Sequence, residues 1–282
     1  MKLIRHGRSG AEKPGIMALD GTMRDLSSYV RDIDGAILNP DGLSELAAID
    51  PTTLPKIPEG TRLGPPVSNV SKIVAIGLNY SDHAREAGMP IPDEPIVFMK
   101  APSSICGPFD NVILPRGSEK SDWEVELGVL IGTRAQYVNP SDAIQYIAGY
   151  CVANDISERH FQLERSGQWV KGKSADTFCP FGPWLTTKDE VPDPQNLAIW
   201  LELDGNKYQD GNTSTMIFSV TQIVGYVSQF MTLLPGDLIL TGTPPGVGFG
   251  MTPPIMLKPG NVMRLGIEGL GVIEQEVVAW SD

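Results

Sequence analysis

Glycine and proline interrupt the sequence at short intervals, and this spacing limits the fold more than any other feature. The 282 residues include 30 glycines and 24 prolines. So many turn-forming residues favour short strands and loops and argue against a helical bundle. The strand-like segments outnumber the helical ones and do not alternate with them regularly, which argues against a Rossmann fold or a TIM barrel. We therefore predict an α+β protein built on mixed or antiparallel sheets.

The character of the sequence changes near residue 68, which predicts two domains. Residues 1–68 predict a small N-terminal β-rich domain, in which Asp20 and Gly21 form a hairpin turn. Its last part is predicted to be an extended linker, because five prolines fall between Pro51 and Pro66. Residues 69–282 predict a larger second domain.

Apolar and polar periodicity predicts the elements of the larger domain. A long strand is predicted over 118–132, and Asp204 with Gly205 predicts the turn of a hairpin. The predicted helices cover residues 81–88, 140–149, 157–167 and 219–233.

The net charge is strongly negative, since 22 basic residues stand against 34 acidic ones and give −12. This charge disfavours nucleic acid and acidic membrane surfaces as partners. It still permits a small anionic substrate, because a bound cation inverts the local field.

The three cysteines form no C-x-x-C pair, and no apolar stretch of a signal peptide follows the first residues. A cytoplasmic location is therefore expected.

The acidic residues Asp122, Glu124 and Glu126 alternate with the apolar residues Trp123, Val125, Leu127 and Val129. In a strand this alternation places Glu124 and Glu126 on one face, about 7 Å apart. One interpretation is a sheet with a solvated acidic face. If the two carboxylates are recessed instead, their repulsion costs roughly 2 kcal/mol at an effective dielectric constant near 20, and a bound cation removes that cost.

A third carboxylate, Asp155, follows the apolar segment YCVAN at the point where a strand gives way to a predicted helix. Together with Glu124 and Glu126 it makes an all-oxygen ligand set. Such a set favours Mg²⁺ or Mn²⁺ over Zn²⁺.

His83 and Glu86 are three residues apart on a predicted helix, so their side chains are neighbours. A carboxylate that holds one ring nitrogen raises the basicity of the other, which is how a general base for water is built. The alternative is an exposed pair with no chemical role.

The segment from Gly167 to Ser174 matches the pattern G-x-x-x-x-G-K-S of a phosphate-binding loop. Such a loop must follow a buried strand and open a helix. Here the preceding segment is polar, and Pro180 and Pro183 follow closely. The context argues against a nucleotide site and leaves Lys173 as a lone ammonium near the acids.

In combination these segments resemble the fumarylacetoacetate hydrolase family. The matching pieces lie in one order between residues 73 and 277, and they include IGLNYSDHAREAG, SDWEVELGVLIG, GYCVANDISERHFQLER, WVKGKSADTFCPFGPWL and LILTGTPPGVG. The N-terminal segment EKPGIMALDG is similar to bacterial members that act on 2,4-diketo-3-deoxy sugar acids of the L-fuconate and L-rhamnonate type. Members of that group are also called ureidoglycolate lyases or diene-dioate isomerases.

The resemblance implies a mixed β-roll fold, a homodimer and a site in the larger domain. It implies Mg²⁺, or Mn²⁺ in its place, held by Glu124, Glu126 and Asp155. It implies that His83 and Glu86 activate water on a lid. The residues implied to face the substrate are Lys173, Arg159, Gln162, Thr243 and Lys100.

The expected function is hydrolysis of the C3–C4 bond of a 2,4-diketo-3-deoxy sugar acid, giving pyruvate and a short hydroxy acid. The alternatives are decarboxylation of oxaloacetate or tautomerisation of an oxo acid at the same metal. A catalytically idle metal-binding scaffold is a further possibility, against which the complete set of acids, His83, Glu86 and Lys173 argues.

Overall fold

A computed structural model shows mixed sheets with few helices, which confirms the α+β class. The structure describes residues 1–86, 88 and 90–281, and the side chain of Glu86 lies outside that description. Among the helices that it describes, none has the length and apolar character needed to cross a bilayer.

The strands are, in chain order, β1 (Lys2–His6), β2 (Lys13–Met17), β3 (Met23–Asp25), β4 (Leu63–Gly64), β5 (Ile73–Gly77), β6 (Ile96–Lys100), β7 (Ile105–Cys106), β8 (Val112–Leu114), β9 (Ser121–Asp122), β10 (Val125–Ile131), β11 (Ile147–Asn154), β12 (Ser157–Glu158), β13 (Cys179–Thr187), β14 (Ala198–Leu203), β15 (Asn206–Asn212), β16 (Leu238–Leu240), β17 (Val262–Ile267) and β18 (Gly271–Ala279). The α-helices are α1 (Pro40–Ala47), α2 (Ser81–Glu86), α3 (Val170–Lys173) and α4 (Val220–Val227). A π-helical turn covers His160–Glu164, and short 3₁₀ turns cover Pro51–Thr53, Pro102–Ser104, Ala143–Tyr146, Lys188–Glu190, Thr213–Thr215 and Gly248–Gly250.

The larger sheet has the order β3-β2-β1-β13-β11-β10-β16-β5-β6, with β4 beside β1 and β7 beside β13. Neighbours along this order are antiparallel except β16 and β5, which run parallel. A second sheet has the order β15-β14-β17-β18-β8. Its strands β14 and β15 form the predicted hairpin, and Asp204 and Gly205 both take the left-handed backbone conformation that such a turn requires.

The two sheets share one core. Val125, Leu127 and Val129 of β10 belong to a buried cluster with Leu201 of β14 and Leu265 of β17. Leu130 points the other way, into a second cluster with α1 and the N-terminal strands. Strand β10 is therefore buried along its whole length. Glu126 within it and Glu124 just before it are recessed rather than solvated.

The predicted helix over 140–149 is wrong. A 3₁₀ turn over Ala143–Tyr146 leads directly into β11, which pairs with β10 on one side and β13 on the other. These long-range hydrogen bonds override the local pattern, as tertiary context often does. The predicted helix over 157–167 is reduced to the π-helical turn, and the long strand over 118–132 is broken between β9 and β10.

The helix predicted over 219–233 is shorter in the structure. Helix α4 covers Val220–Val227. Its N-cap residue is Ser219, whose side chain forms a reciprocal capping box with that of Gln222.

The N-terminal strands continue the larger sheet. Lys2 of β1 lies opposite Thr186 of β13, and β2 and β3 follow outward. Arg62, in the predicted linker, donates hydrogen bonds of 2.7 and 2.5 Å to Asp110. The division into domains at residue 68 stays a prediction, while the hydrogen bonding is continuous across it.

Candidate metal centre and substrate cavity

The three predicted ligand carboxylates meet where β10 and β11 lie side by side. In the antiparallel register Val125 is opposite Asn154, and the N–H of Asp155 donates to the carbonyl of Glu124 at 2.9 Å. The carboxylate oxygens of Glu124, Glu126 and Asp155 come within 4.8 Å of one another, and all three side chains are buried. The predicted same-face placement of the two glutamates is thus present, and the strand register adds the aspartate.

Two lysine ammonium groups lie against these carboxylates. Lys173 donates hydrogen bonds to Glu124 Oε2 at 2.6 Å and to Asp155 Oδ2 at 2.7 Å. Lys100 Nζ lies 2.7 Å from Asp155 Oδ1 and donates to the carbonyl of Ile156. Burial lowers the pKa of Lys173, but the attraction of Asp155 and Glu124 outweighs it and raises the pKa, so the ammonium form persists.

Arg159 completes the charged cluster on the other side of Glu124. Its guanidinium donates to both carboxylate oxygens of Asp122, at 2.8 and 3.1 Å, and to Glu124 Oε1 at 2.6 Å. A further hydrogen bond goes to Gln162 Oε1 at 3.1 Å. Four of the five N–H donors of an arginine are therefore committed within the protein.

The cluster carries more negative than positive charge. Four buried carboxylates, including Asp122, stand against the three cations Lys100, Arg159 and Lys173, which leaves one negative charge uncompensated. This excess of negative charge acts most strongly on Glu126. Burial and the repulsion of Asp155 and Glu124 hold the pKa of Glu126 well above its usual range. Glu124 behaves oppositely, because Lys173 and Arg159 overcome the effect of burial and lower its pKa.

These donors fit a hard divalent cation. Within the described part of the chain, Glu126 receives one hydrogen bond, from the N–H of Gly242 at 2.6 Å. Asp155 Oδ1 has the ion-pair contact with Lys100 but no hydrogen bond of acceptable geometry among the described residues. Lys173 bonds one oxygen of Glu124 and one oxygen of Asp155. Because a carboxylate oxygen offers two lone-pair sites, each of these oxygens still has room for a metal. Oxygen ligands of this kind suit Mg²⁺ and Mn²⁺.

A cavity of about 290 Å³ opens beside the cluster. Its inner end is lined by Glu124, Glu126 and Lys173, and Thr243 also reaches it. The remaining lining residues include Leu78, His83, Ile96, Phe98, Arg159, Gln162, Leu163, Trp169, Val247 and Phe249.

His83 reaches this cavity from α2. The first turn of that helix is held by Asp82, which accepts a hydrogen bond from Thr215 at 3.3 Å and one from the backbone N–H of His83 at 3.0 Å. The side chain of Glu86 lies outside the described residues, so its predicted contact with His83 stays a prediction.

The predicted substrate residues differ in their access to the cavity. Gln162 and Thr243 line it, although the hydroxyl of Thr243 is engaged with the carbonyl of Val125 and with Gln209. Lys100 is buried behind Asp155 and is absent from the cavity wall. Its position suits holding the aspartate rather than touching a substrate.

The segment matching a phosphate loop has a different structure. Gly167 follows the π-helical turn rather than a strand, and Lys173 ends the four-residue helix α3. Gly172 packs tightly, since a Cβ there would lie 2.4 Å from the carbonyl oxygen of Glu158. This glycine serves close packing beside the acids, and its neighbour Lys173 is aimed at them.

Some residues of the site escaped sequence reasoning. Asp122 shares the alternation of Glu124 and Glu126, so spacing alone could have indicated it. The aromatic residues Phe98, Trp169 and Phe249 gave no local signal, because each comes from a different segment.

Comparisons with known proteins agree with this geometry. A sequence profile described as Fumarylacetoacetate (FAA) hydrolase C-terminal matches residues 72–278. A Burkholderia lata protein with a general hydrolase name is 59% identical over 272 residues, which is 96% of each chain.

Solved structures are similar over the whole chain. Maleylpyruvate hydrolase from Sphingobium sp. SYK-6, in complex with manganese(II) and pyruvate, has a TM-score of 0.84 at 28% identity, covering 100% of both chains. The 5-carboxymethyl-2-hydroxymuconate delta-isomerase from Mycobacterium smegmatis has a TM-score of 0.80 at 30% identity, with the same coverage.

Proposed function

The chain belongs to the fumarylacetoacetate hydrolase family, and we propose that it hydrolyses the C3–C4 bond of a 2,4-diketo acid to give pyruvate and a second carboxylic acid. The observation that carries the proposal is the buried triad of Glu124, Glu126 and Asp155, of which both glutamates line a cavity together with Lys173. The bound pyruvate and manganese of the Sphingobium hydrolase support it.

Mg²⁺, with Mn²⁺ as a substitute, is the proposed cofactor. When bound by Glu124, Glu126 and Asp155, such a cation supplies Lewis-acid stabilisation of the negative charge that develops on the 2-oxo oxygen. It also turns the net charge of the cluster from negative to positive, which favours an anionic acid in the cavity.

The protein's own groups perform the remaining steps. His83 takes a proton from water, whose oxygen adds to the C4 carbonyl. The C3–C4 bond then breaks, its electron pair stays with C3, and the acyl group leaves as a carboxylic acid. Lys173 adds positive charge beside the enolate of pyruvate that forms, and a proton delivered to C3 completes pyruvate. Glu86 is proposed to orient His83.

Arg159 is assigned a positioning role. Its donors hold Asp122, Glu124 and the amide oxygen of Gln162, so it fixes one metal-binding carboxylate and one cavity-lining amide together. Lys100 similarly fixes Asp155 from behind.

The second candidate is tautomerisation of an oxo acid or decarboxylation of oxaloacetate. Both require the same stabilised enolate but no attacking water. The similarity to an isomerase favours keeping this candidate. Hydrolysis is preferred because His83 reaches the same cavity as the acids.

The test follows the ultraviolet absorbance of an acylpyruvate enol with Mg²⁺, in the presence and absence of EDTA. We expect metal-dependent decay, with pyruvate and the released acid identified by NMR. Decay without pyruvate would identify the tautomerase. Unchanged decay in EDTA would contradict a metal-dependent reaction. The sugar-acid subclass, the homodimer and the cytoplasmic location remain predictions.

A further inference from the structure

The cavity has two ends of different chemistry. The inner end carries the carboxylates and Lys173, as described above. The large apolar side chains Phe98, Trp169, Leu163 and Phe249 line another part of the cavity, which we call the outer end. Leu163 is 42% exposed and Phe249 41% exposed, so both stand at the rim.

The aromatic part of this outer wall is built by close packing. The rings of Phe98 and Trp169 meet edge to face with centroids 5.3 Å apart. Gly77, at the end of β5, makes room for the indole, because a Cβ at that position would lie 2.8 Å from Trp169. The indole is therefore fixed between strand β5 and Phe98.

The cations near the wall are committed elsewhere. Lys173 bridges Glu124 and Asp155, and its ammonium lies 5.2 Å from the centroid of Phe98. Arg159 lies 5.7 Å from the centroid of Phe249 while it donates to Asp122 and Glu124. Among the described lining residues, the outer end thus offers apolar surface and no lysine or arginine without a carboxylate partner.

We propose that the outer end of the cavity is a subsite for an uncharged acyl chain with an apolar terminus, and that it discriminates against a substrate with a second carboxylate. The inference rests on the proposed function, because the 2,4-diketo acid head must occupy the inner end. The acyl group beyond C4 then points toward Trp169 and Leu163.

The discrimination follows from desolvation. An alkyl terminus gains by leaving water for the faces of Trp169 and Phe98. A carboxylate at the same place loses hydration, and the described lining residues offer it no lysine or arginine that is free of a carboxylate partner, which is strongly unfavourable.

The experiment compares two substrates that differ only at C7. These are 2,4-dioxoheptanoate, which ends in a methyl group, and 2,4-dioxoheptanedioate, which ends in a carboxylate. With saturating Mg²⁺, kcat/KM for the methyl-ended acid should exceed that for the dioate by about tenfold or more. A ratio near one, or one in favour of the dioate, would overturn the subsite.

A charge inserted at the rim should reverse the preference. Leu163→Lys should raise kcat/KM for the dioate and lower the ratio by about tenfold. Val170→Lys is the matched control, since Val170 is 38% exposed, lies nearby in sequence and does not line the cavity. It should leave the ratio unchanged, and equal shifts in both variants would refute a local effect.

A binding measurement separates failure of the subsite from failure of the proposed function. If neither acid is cleaved, the hydrolase proposal fails, and the subsite is decided by fluorescence titration with the same pair of acids. The methyl-ended acid should bind about tenfold more tightly and change an emission component that is absent in Trp169→Phe. Equal affinity for both acids, or a change that persists in Trp169→Phe, would overturn the subsite.

Discussion

Lys173 donates a 2.6 Å hydrogen bond to Glu124, although the two residues are 49 positions apart in the chain. The same ammonium bonds Asp155, so one cation joins two of the proposed metal ligands. It compensates part of the negative charge of these two carboxylates. The two hydrogen bonds of Lys173 therefore hold Glu124 and Asp155 in place, and this arrangement depends on the opposite charges of the lysine and the two carboxylates.

Glu126→Gln should abolish tight Mg²⁺ binding while the fold is retained. The amide keeps an oxygen for the N–H of Gly242 but loses the charge that binds the metal. Calorimetry should show the loss. Glu158→Gln is the control, because Glu158 is equally buried and is held by Ser118, Ser121 and Lys120 away from the triad. Mg²⁺ affinity that is unchanged in Glu126→Gln would contradict the assignment.

Wild type and Glu126→Gln should differ in how their stability depends on pH. Burial and the neighbouring carboxylates raise the pKa of Glu126. Above the ordinary glutamate pKa near 4.3, the unfolded chain releases this proton while the folded protein retains it, so the metal-free wild type loses stability as pH rises toward the raised pKa. Glu126→Gln lacks this loss. Its Tm should therefore gain on that of wild type as pH rises above about 4 in EDTA, and saturating Mg²⁺ should raise the Tm of wild type more than that of the variant.

Lys173→Met should remove activity and make stability more dependent on metal. Breaking a buried ion pair from one side costs about 3–5 kcal/mol, and a divalent cation offsets part of that cost. Thermal shifts on adding Mg²⁺ should be larger than in wild type. Lys171→Met, which alters an exposed lysine of the same helix, should match wild type.

The same lysine should not support nucleotide binding. The helix after Gly167 is only four residues long, which is unsuited to a phosphate loop. ATP should neither bind nor inhibit at micromolar concentration. Saturable micromolar binding lost in Lys173→Met would refute this prediction.

His83→Ala should lose hydrolysis by about 10²–10⁴-fold while Mg²⁺ affinity is kept, because a positioned base is removed. Glu86→Gln should lose less. Oxaloacetate decarboxylation requires no attacking water and should survive better in both variants. Equal losses on the two substrates would assign His83 to binding or lid closure instead.

Asp110→Asn should lower the free energy of unfolding by about 1.5–3 kcal/mol, because Arg62 loses one of its two charged partners and keeps only Glu12. Wild type and variant should each unfold in one transition, since β1 hydrogen bonds to β13 across the predicted domain boundary. Glu202→Gln, in a more exposed pair with Arg264 at 3.5 Å, should change stability by less than about 0.5 kcal/mol. Two separated transitions would favour independent domains.

The sequence by itself determined what depends on neighbours along the chain. Period-two alternation placed Glu124 and Glu126 together, and Asp204 with Gly205 specified a hairpin whose backbone conformation those residues tolerate. The polar context of Gly167 excluded a phosphate loop. The frequent glycines and prolines indicated short strands and mixed sheets.

Only the tertiary structure decided which distant segments meet. The register of β10 against β11 brought Asp155 to the two glutamates, and the same pairing extended the predicted strand back over residues 147–149, the end of a predicted helix. Packing of three separate segments made the wall of Phe98, Trp169 and Phe249. Local periodicity reports which face a residue occupies, whereas the partner of that face is set by long-range hydrogen bonding and burial that no short window of sequence contains.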